Sequence, residues 1–238
     1  MNKVIIVGAT TGIGYELAIL YAKKNWLVGA TGRRKDLLQN LRQQFPENIV
    51  TECFDVTGTE NIESIKNLSQ QLGGLDLLIY NSGYGEPSEE LDWNIDKATT
   101  LTNVNGFIEI VNYAFNFFMM EGQGQIAATS SIAGNRGSSF APAYSASKAF
   151  MSNYMEGLYI KAAKLKIPLY LTDIQPGFVK TAMAKGEGQF WVASVKKAAE
   201  QIYKGVSNKK RKVYITKRWW FIATVMKIIP IGIYKKFG

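Results

Sequence analysis

The 238-residue chain contains no histidine and a single cysteine, Cys53. The absence of histidine excludes Ser-His-Asp and Cys-His nucleophilic mechanisms, and zinc sites that use histidine ligands. One cysteine can form neither an internal disulfide nor a thiolate metal cluster. Any acid–base catalyst in this chain must therefore be a carboxylate, a lysine or a tyrosine.

The chain also lacks the pattern of a secretory signal peptide. Met1 is followed by no basic segment, no long apolar run and no small-residue cleavage site. Together with the lone cysteine, this predicts a cytoplasmic location. The composition, 47% hydrophobic and 20% charged, is ordinary for a globular protein, and the length suffices for one sizeable domain.

Acidic residues are scarce near the C-terminus. Residues 1–184 hold 15 Lys and Arg against 17 Asp and Glu, whereas residues 185–238 hold 13 against 2. This asymmetry fits either a solvated basic face or a surface for nucleic acid or membrane. We expect no nucleic-acid partner, because the basic cluster at 209–212 lacks the interleaved aromatic residues of a base-stacking surface.

Short apolar runs alternate with segments of helical periodicity. Strands are predicted at Val4–Val7, Leu27–Thr31, Ile49–Phe54, Leu75–Tyr80, Gln125–Thr129, Pro168–Asp173 and Lys212–Ile215. Helices are predicted at Ile13–Lys24, Lys35–Phe45, Asn61–Leu72, Asp92–Met120, Tyr144–Leu165 and Ser194–Val206. The alternation predicts an α/β fold with a doubly wound parallel sheet of about seven strands. We expect one domain over residues 1–216 and an apolar, basic extension over residues 217–238.

The first predicted strand leads directly into a glycine-rich turn and then a helix. The turn reads Gly8, Ala9, Thr10, Thr11, Gly12, Ile13, Gly14. Glycines at such a turn allow the backbone to approach a pyrophosphate, which then lies on the helix N-terminus. The position between strand and helix makes a nucleotide-binding role better supported than a purely structural one.

Residues at the end of the second strand indicate which dinucleotide binds. The chain has Arg33 and Arg34 there and no carboxylate, which favours the 2′-phosphate of NADP(H) over the ribose 2′-hydroxyl of NAD. Arg33 is the better placed, although both arginines could instead solvate the next turn. Asp55 and Val56, after the third strand, are expected near the adenine, and an ordinary turn aspartate explains Asp55 nearly as well.

Three polar residues are expected at the carboxyl edge of the sheet. Ser131 follows the fifth strand, and Tyr144 and Lys148 share one helix face at i and i+4. A tyrosine is a poor base at neutral pH, but a nearby cation favours the phenolate and is expected to lower its pKa. Such a pair alone is usually a surface contact.

In this order and spacing, the motifs resemble the short-chain dehydrogenase/reductase family over roughly residues 3–215. The matching positions are the glycine-rich turn, Asn81 and Gly83 after strand four, Asn103, Ser131 with Tyr144 and Lys148, and Pro176 with Gly177. The resemblance implies a Rossmann-type fold and a homodimer or homotetramer. Three departures stand out: Val7 replaces a threonine that would brace Asn81, Tyr80 replaces an asparagine, and Asn105 lies close to Asn103.

The resemblance also implies roles. Tyr144 would exchange a proton with the substrate oxygen, and Ser131 would hydrogen-bond that oxygen. Lys148 would bind the nicotinamide ribose and lower the pKa of Tyr144, and Asn103 would hold a relay water. Val179 and Thr181, after Pro176 and Gly177, would contact the nicotinamide. The implied reaction is hydride transfer between NADP(H) and a carbonyl or alcohol.

Several questions stay open from sequence. A non-catalytic NADP-binding sensor or scaffold is the alternative function, although such a protein has no need of Tyr144. An apolar substrate pocket is expected from the bulky residues near the site, which are Ile132, Phe140, Met183, Phe190 and Trp191. The long helices carry apolar residues expected at a subunit interface, which are Phe115, Phe117, Phe118, Met151, Tyr154 and Met155.

The C-terminal extension combines paired tryptophans with lysines. Its apolar run, from Lys217 to Pro230, is interrupted by Lys227 and is too short to cross a membrane. Tryptophans beside lysines suit peripheral membrane contact through residues 217–234. Packing on the protein itself or on a neighbouring subunit is slightly favoured, because much apolar surface would otherwise be exposed.

Overall fold

A seven-stranded, fully parallel sheet forms the centre of the fold. The computed structural model describes residues 1–88, 90–181 and 190–236. The strands are β1 (Lys3–Val7), β2 (Leu27–Gly32), β3 (Ile49–Cys53), β4 (Leu77–Tyr80), β5 (Gly124–Thr129), β6 (Leu169–Pro176) and β7 (Lys212–Ile215). Their spatial order, β3-β2-β1-β4-β5-β6-β7, confirms the predicted doubly wound, Rossmann-type arrangement.

Helices cover both faces of the sheet. They are α1 (Gly12–Lys23), α2 (Lys35–Gln44), α3 (Asn61–Leu72), α4 (Trp93–Thr100), α5 (Gly106–Glu121), α6 (Pro142–Leu165), α7 (Val195–Ser207), α8 (Trp219–Ile228) and α9 (Ile231–Tyr234). Alternate strand residues face opposite cores: Val4 and Ile6 pack with α1 and α7, and Ile5 and Val7 pack with α3 and α5. Strands buried on both faces explain the continuous apolar runs in the sequence.

The strand order reverses direction between β1 and β4. After β1 the chain builds β2 and β3 on one side, and it then crosses to β4 on the other side. Val7 and Tyr80 pair at the carboxyl ends of these neighbouring strands. The loops that begin at Gly8 and Asn81 therefore diverge at the switch point, where open α/β sheets bind their ligands.

The single helix predicted over Asp92–Met120 is wrong in detail. A π-helical segment, Leu101–Asn105, separates α4 from α5, and the Gly106 amide donates to the Leu101 carbonyl five residues earlier. A Cβ at Gly106 would overlap the Val56 carbonyl oxygen, so α5 approaches the loop after β3 closely. The hydroxyl of Tyr80 donates to the Thr102 carbonyl at 2.7 Å and holds this segment against β4.

The apolar residues expected at a subunit interface belong largely to the chain's own core. Phe115, Phe118, Met151 and Met155 are buried between the sheet and the helices. Phe117 and Tyr154 are partly buried against the same core. Helix periodicity alone cannot tell a face that packs on the sheet from one that packs on a second subunit. The large apolar residues that α6 exposes are Phe150, Tyr159, Ile160 and Leu165.

The C-terminal extension packs on the domain through one side only. Trp219 and Ala223 of α8 are buried, and α8 contacts β7 and the 3₁₀ turn at Ile132–Asn135. Large side chains remain exposed on the outward side of α8 and α9, which are Trp220, Phe221, Ile228, Ile231 and Ile233. Within residues 1–88, 90–181 and 190–236, no helix has the length and apolarity needed to cross a bilayer.

Candidate active site

The glycine-rich turn folds back tightly between β1 and α1. Gly8 and Gly12 have left-handed backbone angles, with φ of +87° and +63°, which glycine adopts without steric cost. The amides of Gly8 and Ala9 both donate to the Thr31 carbonyl at 3.2 and 2.7 Å. Thr11 is the N-cap of α1 but makes no side-chain capping bond. The first amides of α1 thus have no side-chain cap, which suits a phosphate at this helix end.

The third glycine of the turn allows close packing with the loop after β4. A Cβ at Gly14 would overlap the Gly8 carbonyl oxygen and lie 2.7 Å from Asn81 Nδ2. Asn81 Nδ2 donates to that same carbonyl at 3.0 Å, and Thr129 Oγ1 donates to Asn81 Oδ1 at 3.1 Å. Thr129 therefore supplies the bracing hydroxyl that Val7 lacks. Nothing in the sequence singled out Thr129, because it lies on a different strand.

The two arginines after β2 occupy different positions. Arg34 Nη2 donates to the hydroxyls of Thr10 and Thr11 at 2.7 and 2.8 Å. Arg33 points instead toward Asp55, with 3.5 Å between Nη1 and Oδ2, and its side chain is largely exposed. Arg34 is thus attached to the glycine-rich turn, and Arg33 stands at the outer edge of the same region.

Asp55 and Val56 form the third side of this region. Asp55 Oδ1 accepts bonds from the amide and the hydroxyl of Thr57, both at 3.0 Å, so it also shapes its own turn. Val56 is buried, and its carbonyl accepts a bond from Asn61 Nδ2 at 3.0 Å. Asp55 therefore stabilises its own turn, which is the structural role that the sequence also allowed. Its second carboxylate oxygen, Oδ2, faces Arg33.

Ser131, Tyr144 and Lys148 come together at the carboxyl edge of β5. Ser131 caps the 3₁₀ turn, where its Oγ accepts a bond from the Ala133 amide at 3.1 Å. Tyr144 lies in the first turn of α6, close enough to Ser131 for the serine hydroxyl to act on its pKa. A Cβ at Gly85 would overlap the Tyr144 ring, so the loop after β4 packs directly on the tyrosine.

Lys148 lies one helical turn beyond Tyr144 and is almost fully buried. Its Nζ donates to the Thr129 carbonyl at 2.9 Å and lies 5.8 Å from the centre of the Tyr144 ring. Burial lowers the pKa of Lys148 to about 8, and the charge of Asp173 acts in the opposite direction. A poorly solvated ammonium is therefore held beside the tyrosine.

The predicted lowering of the Tyr144 pKa is wrong in this structure. Burial raises the pKa of Tyr144, and the neighbouring Ser131 hydroxyl lowers it by less. The physical reason is that desolvation disfavours the phenolate, while the ammonium of Lys148 is directed at a backbone carbonyl. Tyr144 is thus a protonated hydroxyl at neutral pH.

Asn103 is completely buried, whereas Asn105 is exposed. The π-helical segment turns Asn103 toward the site. Its Oδ1 accepts from the Tyr84 amide at 2.8 Å, and its Nδ2 donates to the Tyr84 carbonyl and to Ser147 Oγ at 2.7 and 2.9 Å. Asn103 thereby connects the loop after β4 to α6, next to Lys148.

The segment after β6 closes the site on its other side. The carbonyl of Pro176 lies 3.5 Å from Ser131 Oγ. Val179 is buried and pairs with Ala193, and a Cβ at Gly12 would lie 3.4 Å from the Thr181 methyl group. This segment therefore spans from the serine to the glycine-rich turn. Gly83 lies partly exposed in the loop after β4, and Met183 lies outside the described residues.

Comparison with known proteins agrees with this arrangement. A family model described as short chain dehydrogenase matches residues 2–190. The chain belongs to the short-chain dehydrogenase family. It is 35% identical over 185 residues to an uncharacterized oxidoreductase of Myxococcus xanthus (strain DK1622), covering 75% of this chain and 72% of the relative. It is 31% identical over 183 residues to an uncharacterized oxidoreductase of Staphylococcus aureus (strain N315), covering 75% and 78%.

Solved structures share the fold of this short-chain dehydrogenase. A variant of actinorhodin polyketide ketoreductase with NADPH superposes with a TM-score of 0.79 at 20% identity, covering 90% of this chain and 95% of that one. ElxO with NADP bound gives the same TM-score at 23% identity, covering 90% and 96%. The chain is thus an oxidoreductase of this family with a Rossmann-type fold.

Behind Ser131, Tyr144 and Lys148, this short-chain dehydrogenase has a buried polar network that the motifs did not reveal. Asp173 on β6 is almost fully buried and accepts hydrogen bonds from the hydroxyl of Ser130 and from Gln175 Nε2. Lys212 Nζ on β7 lies 3.5 Å from its carboxylate. A single aspartate inside a predicted strand gives no signal of such a network, because its partners come from three strands.

An aromatic cluster packs against the segment after β6. Trp219 contacts the rings of Phe178, Phe190 and Trp191, with centroids 5.0 to 5.7 Å apart. A Cβ at Gly177 would overlap the Trp219 indole, so α8 lies directly on the segment after β6. Phe190, Trp191 and, on another side, Phe140 remain partly exposed. The sequence pointed to these three residues but not to Trp219, which comes from the C-terminal extension.

Proposed function

We propose that the protein is an NADP(H)-dependent oxidoreductase that interconverts a carbonyl and an alcohol, with Tyr144 as general acid and base. The observation that carries this proposal is the proximity of the Ser131 and Tyr144 side chains at the carboxyl edge of β5, with the Lys148 ammonium 5.8 Å from the centre of the Tyr144 ring. The group lies at the carboxyl edge of the sheet, where the segment from Pro176 to Thr181 leads to the glycine-rich turn.

The chain's residues fit an NADP(H) cofactor. A side chain would overlap neighbouring atoms at Gly8 and Gly14 and would be strained by the left-handed backbone at Gly12, and α1 has no side-chain cap. This leaves backbone amides for the pyrophosphate. Arg33 and Arg34 supply two guanidinium groups beside the turn, suited to a 2′-phosphate. Two structural neighbours were solved with NADPH and with NADP bound, which supports the same choice.

When bound, the cofactor supplies or accepts the hydride, so the protein positions groups and moves a proton. In the direction of reduction, the Tyr144 hydroxyl gives its proton to the carbonyl oxygen. The raised pKa of Tyr144 keeps it protonated for this step. Ser131 orients the same oxygen by a hydrogen bond, and the Lys148 cation stabilises the phenolate that remains.

After Tyr144 has given its proton to the substrate oxygen, it must be protonated again. In this proposal, that proton arrives through the polar groups around Lys148. Both side-chain amide protons of Asn103 are used in bonds to Tyr84 and Ser147. The side-chain oxygen Oδ1, which already accepts from the Tyr84 amide, is therefore the atom that would hold a relay water through its second lone pair. Ser147 and Lys148 both belong to the helix turn that follows Tyr144. Val179 and Thr181 would contact the nicotinamide end of the cofactor.

Tyr144→Phe tests the proposal, with Tyr154→Phe on the same helix as the matched control. Turnover of a panel of aldehydes and ketones is followed by NADPH absorbance. We expect Tyr144→Phe to lower kcat by about 10²–10⁴-fold, because only the transferred proton is lost, while NADPH affinity stays nearly unchanged. Tyr154→Phe should keep normal kcat. Near-normal turnover by Tyr144→Phe would overturn the mechanism, and NADPH binding without turnover of any substrate would favour a sensor.

A further inference from the structure

The outward side of α8 and α9 displays an unusual amount of apolar surface. We define the C-terminal face by its five exposed large side chains, which are Trp220, Phe221, Ile228, Ile231 and Ile233. Each of them is more than half exposed. Single exposed apolar residues are normal on proteins, but a group of five within 14 consecutive residues marks an interaction surface.

Helical geometry places the α8 members of this face together. Phe221 lies about two turns before Ile228, so these two share the side opposite to the buried Trp219 and Ala223, and Trp220 lies at the edge of that side. Thr224 lies between them, and its hydroxyl donates to the Trp220 carbonyl at 2.8 Å. The polar atom inside the face is therefore satisfied by the helix itself and does not require water.

The face is held in place rather than free to fold inward. Arg136 Nη1 donates to the carbonyls of Met226 and Ile229 at 3.1 and 2.8 Å. The Tyr234 hydroxyl donates to the Gly137 carbonyl at 2.8 Å, and the Arg136 guanidinium lies 4.5 Å from the Tyr234 ring centre. The C-terminal end of α8 and the helix α9 are thus both fixed to the loop that follows Ser131.

Cations surround the apolar side chains. Lys217, Lys227, Lys235 and Lys236 are all exposed, and the sequence has no acidic residue from 217 to 238. The cores of protein–protein interfaces are poor in lysine, whereas aromatic side chains beside lysines suit the headgroup region of an anionic bilayer. Charge complementarity therefore favours a lipid surface over a second protein.

We propose that the C-terminal face docks the protein on the surface of an anionic membrane, and that its substrate is a carbonyl or alcohol dissolved in that membrane. The substrate class rests on the proposed function. α8 packs on the 3₁₀ turn after Ser131, and Trp219 lies against Gly177 at the end of β6. A bilayer that contacts the C-terminal face consequently lies against the helix whose Trp219 contacts the partly exposed rings of Phe190 and Trp191.

Vesicle flotation of the full chain tests the docking. The probes are phosphatidylcholine vesicles and vesicles with equal amounts of phosphatidylcholine and phosphatidylglycerol. The variant combines Phe221→Ser, Ile228→Ser and Ile231→Ser, and the matched control combines Trp93→Ser and Met120→Ser, which are exposed apolar residues elsewhere. We expect the wild type and the control to bind anionic vesicles at least about tenfold better than neutral ones, and the triple variant to lose this binding.

Two outcomes would overturn the docking. One is a wild type that does not float with anionic vesicles. The other is a triple variant that binds as well as the wild type. If the wild type does not float and the triple variant loses its oligomeric state in light scattering, the C-terminal face is a subunit interface. A circular dichroism spectrum that matches the wild type shows that the triple variant is folded.

The substrate class is tested separately from the chemistry. A long-chain aldehyde presented in anionic vesicles is compared with a short, water-soluble aldehyde. We expect the triple variant to raise the KM for the vesicle substrate about tenfold and to leave kcat/KM for the soluble one unchanged. Equal effects on both substrates would overturn the substrate assignment. Vesicle binding without turnover of any carbonyl would contradict the proposed function and the substrate class, while the docking would stand.

Discussion

At the scale of single residues, Arg33 and Arg34 differ in how firmly they are held. Arg34 bonds to two threonine hydroxyls in the glycine-rich turn, while Arg33 has one long ion pair with Asp55 and is otherwise solvated. Neighbouring arginines at the end of β2 look equivalent in the sequence. The structure separates them because successive residues after a strand point in different directions.

NADPH should bind at least tenfold more tightly than NADH, a difference of about 1.4 kcal/mol. We expect both Arg33→Ala and Arg34→Ala to reduce this preference, because each removes a cation beside the expected 2′-phosphate. Lys35→Ala, the next exposed cation along the chain, is the matched control and should keep it. Fluorescence titration with the two cofactors measures the effect. Equal wild-type affinity for NADPH and NADH would contradict the assignment of the cofactor.

Lys148 should make stability depend on pH in a particular direction. Its pKa falls from 10.5, the ordinary value for a lysine, to about 8 in the folded chain, so between these values the unfolded chain binds the extra proton. Stability contributed by this group therefore rises with pH across that window. Lys148→Met removes this pH dependence. The free energy of unfolding of the variant minus that of the wild type should therefore decrease by about 1.4 kcal/mol for each unit by which the pH rises within the window.

Urea denaturation of both proteins at pH 8 and pH 9.5 measures this difference, and effects of other titrating groups cancel in the comparison. Lys161→Met, an exposed position on the same helix, is the control and should show no such trend. A Lys148→Met difference that is the same at both pH values would show that the lysine is not desolvated in the folded state.

At the scale of elements, periodicity gave the strands and most helices but missed the π-helical segment. Apolar residues continue at helical spacing through Leu101–Asn105, so the sequence shows no interruption. The extra residue in this turn is imposed by packing of Gly106 against Val56 and by the bond from Tyr80 to Thr102. Such segments occur often at functional sites, and here the segment positions Asn103.

The contact of α8 with the segment after β6 should be sensitive to one methyl group. Gly177→Ala places a Cβ into the Trp219 indole, and we expect it to lower the free energy of unfolding by about 1–3 kcal/mol. Gly137→Ala meets no atom within 4 Å and is the control. Combining Gly177→Ala with Trp219→Leu should recover part of the loss in a double-mutant cycle. Independent effects of the two changes would contradict direct contact.

At the scale of the whole molecule, the order of the motifs was enough to predict that Ser131, Tyr144 and Lys148 come together at one edge of the sheet. The sequence did not reveal how the distant parts are connected, such as Thr129 bonded to Asn81 or Trp219 lying on Gly177. These contacts join residues 48 and 42 positions apart. The bond and the close packing follow from strand order and helix placement, which local patterns do not specify.

We still expect a homodimer or homotetramer in which the subunits contact each other through the long helices, as the family resemblance implies. The exposed apolar side chains of α6, including Tyr159 and Ile160, are the residues available for it. In a two-fold contact each substitution acts twice, so Ile160→Glu should dissociate the assembly, while Lys164→Glu at a solvated position should have a smaller effect. Light scattering at micromolar concentration measures the mass. A monomeric wild type would refute the expectation.

The family match ends at residue 190, yet Trp219 from beyond that point lies on the segment that borders the active site. Trp219 therefore lies outside the part of the chain that the family model matches, and under the proposed function it forms part of the wall around the substrate. We expect substitutions in α8 to change which carbonyls and alcohols react, while the serine, tyrosine and lysine stay the same. Chemistry and specificity would then be encoded in different stretches of the chain.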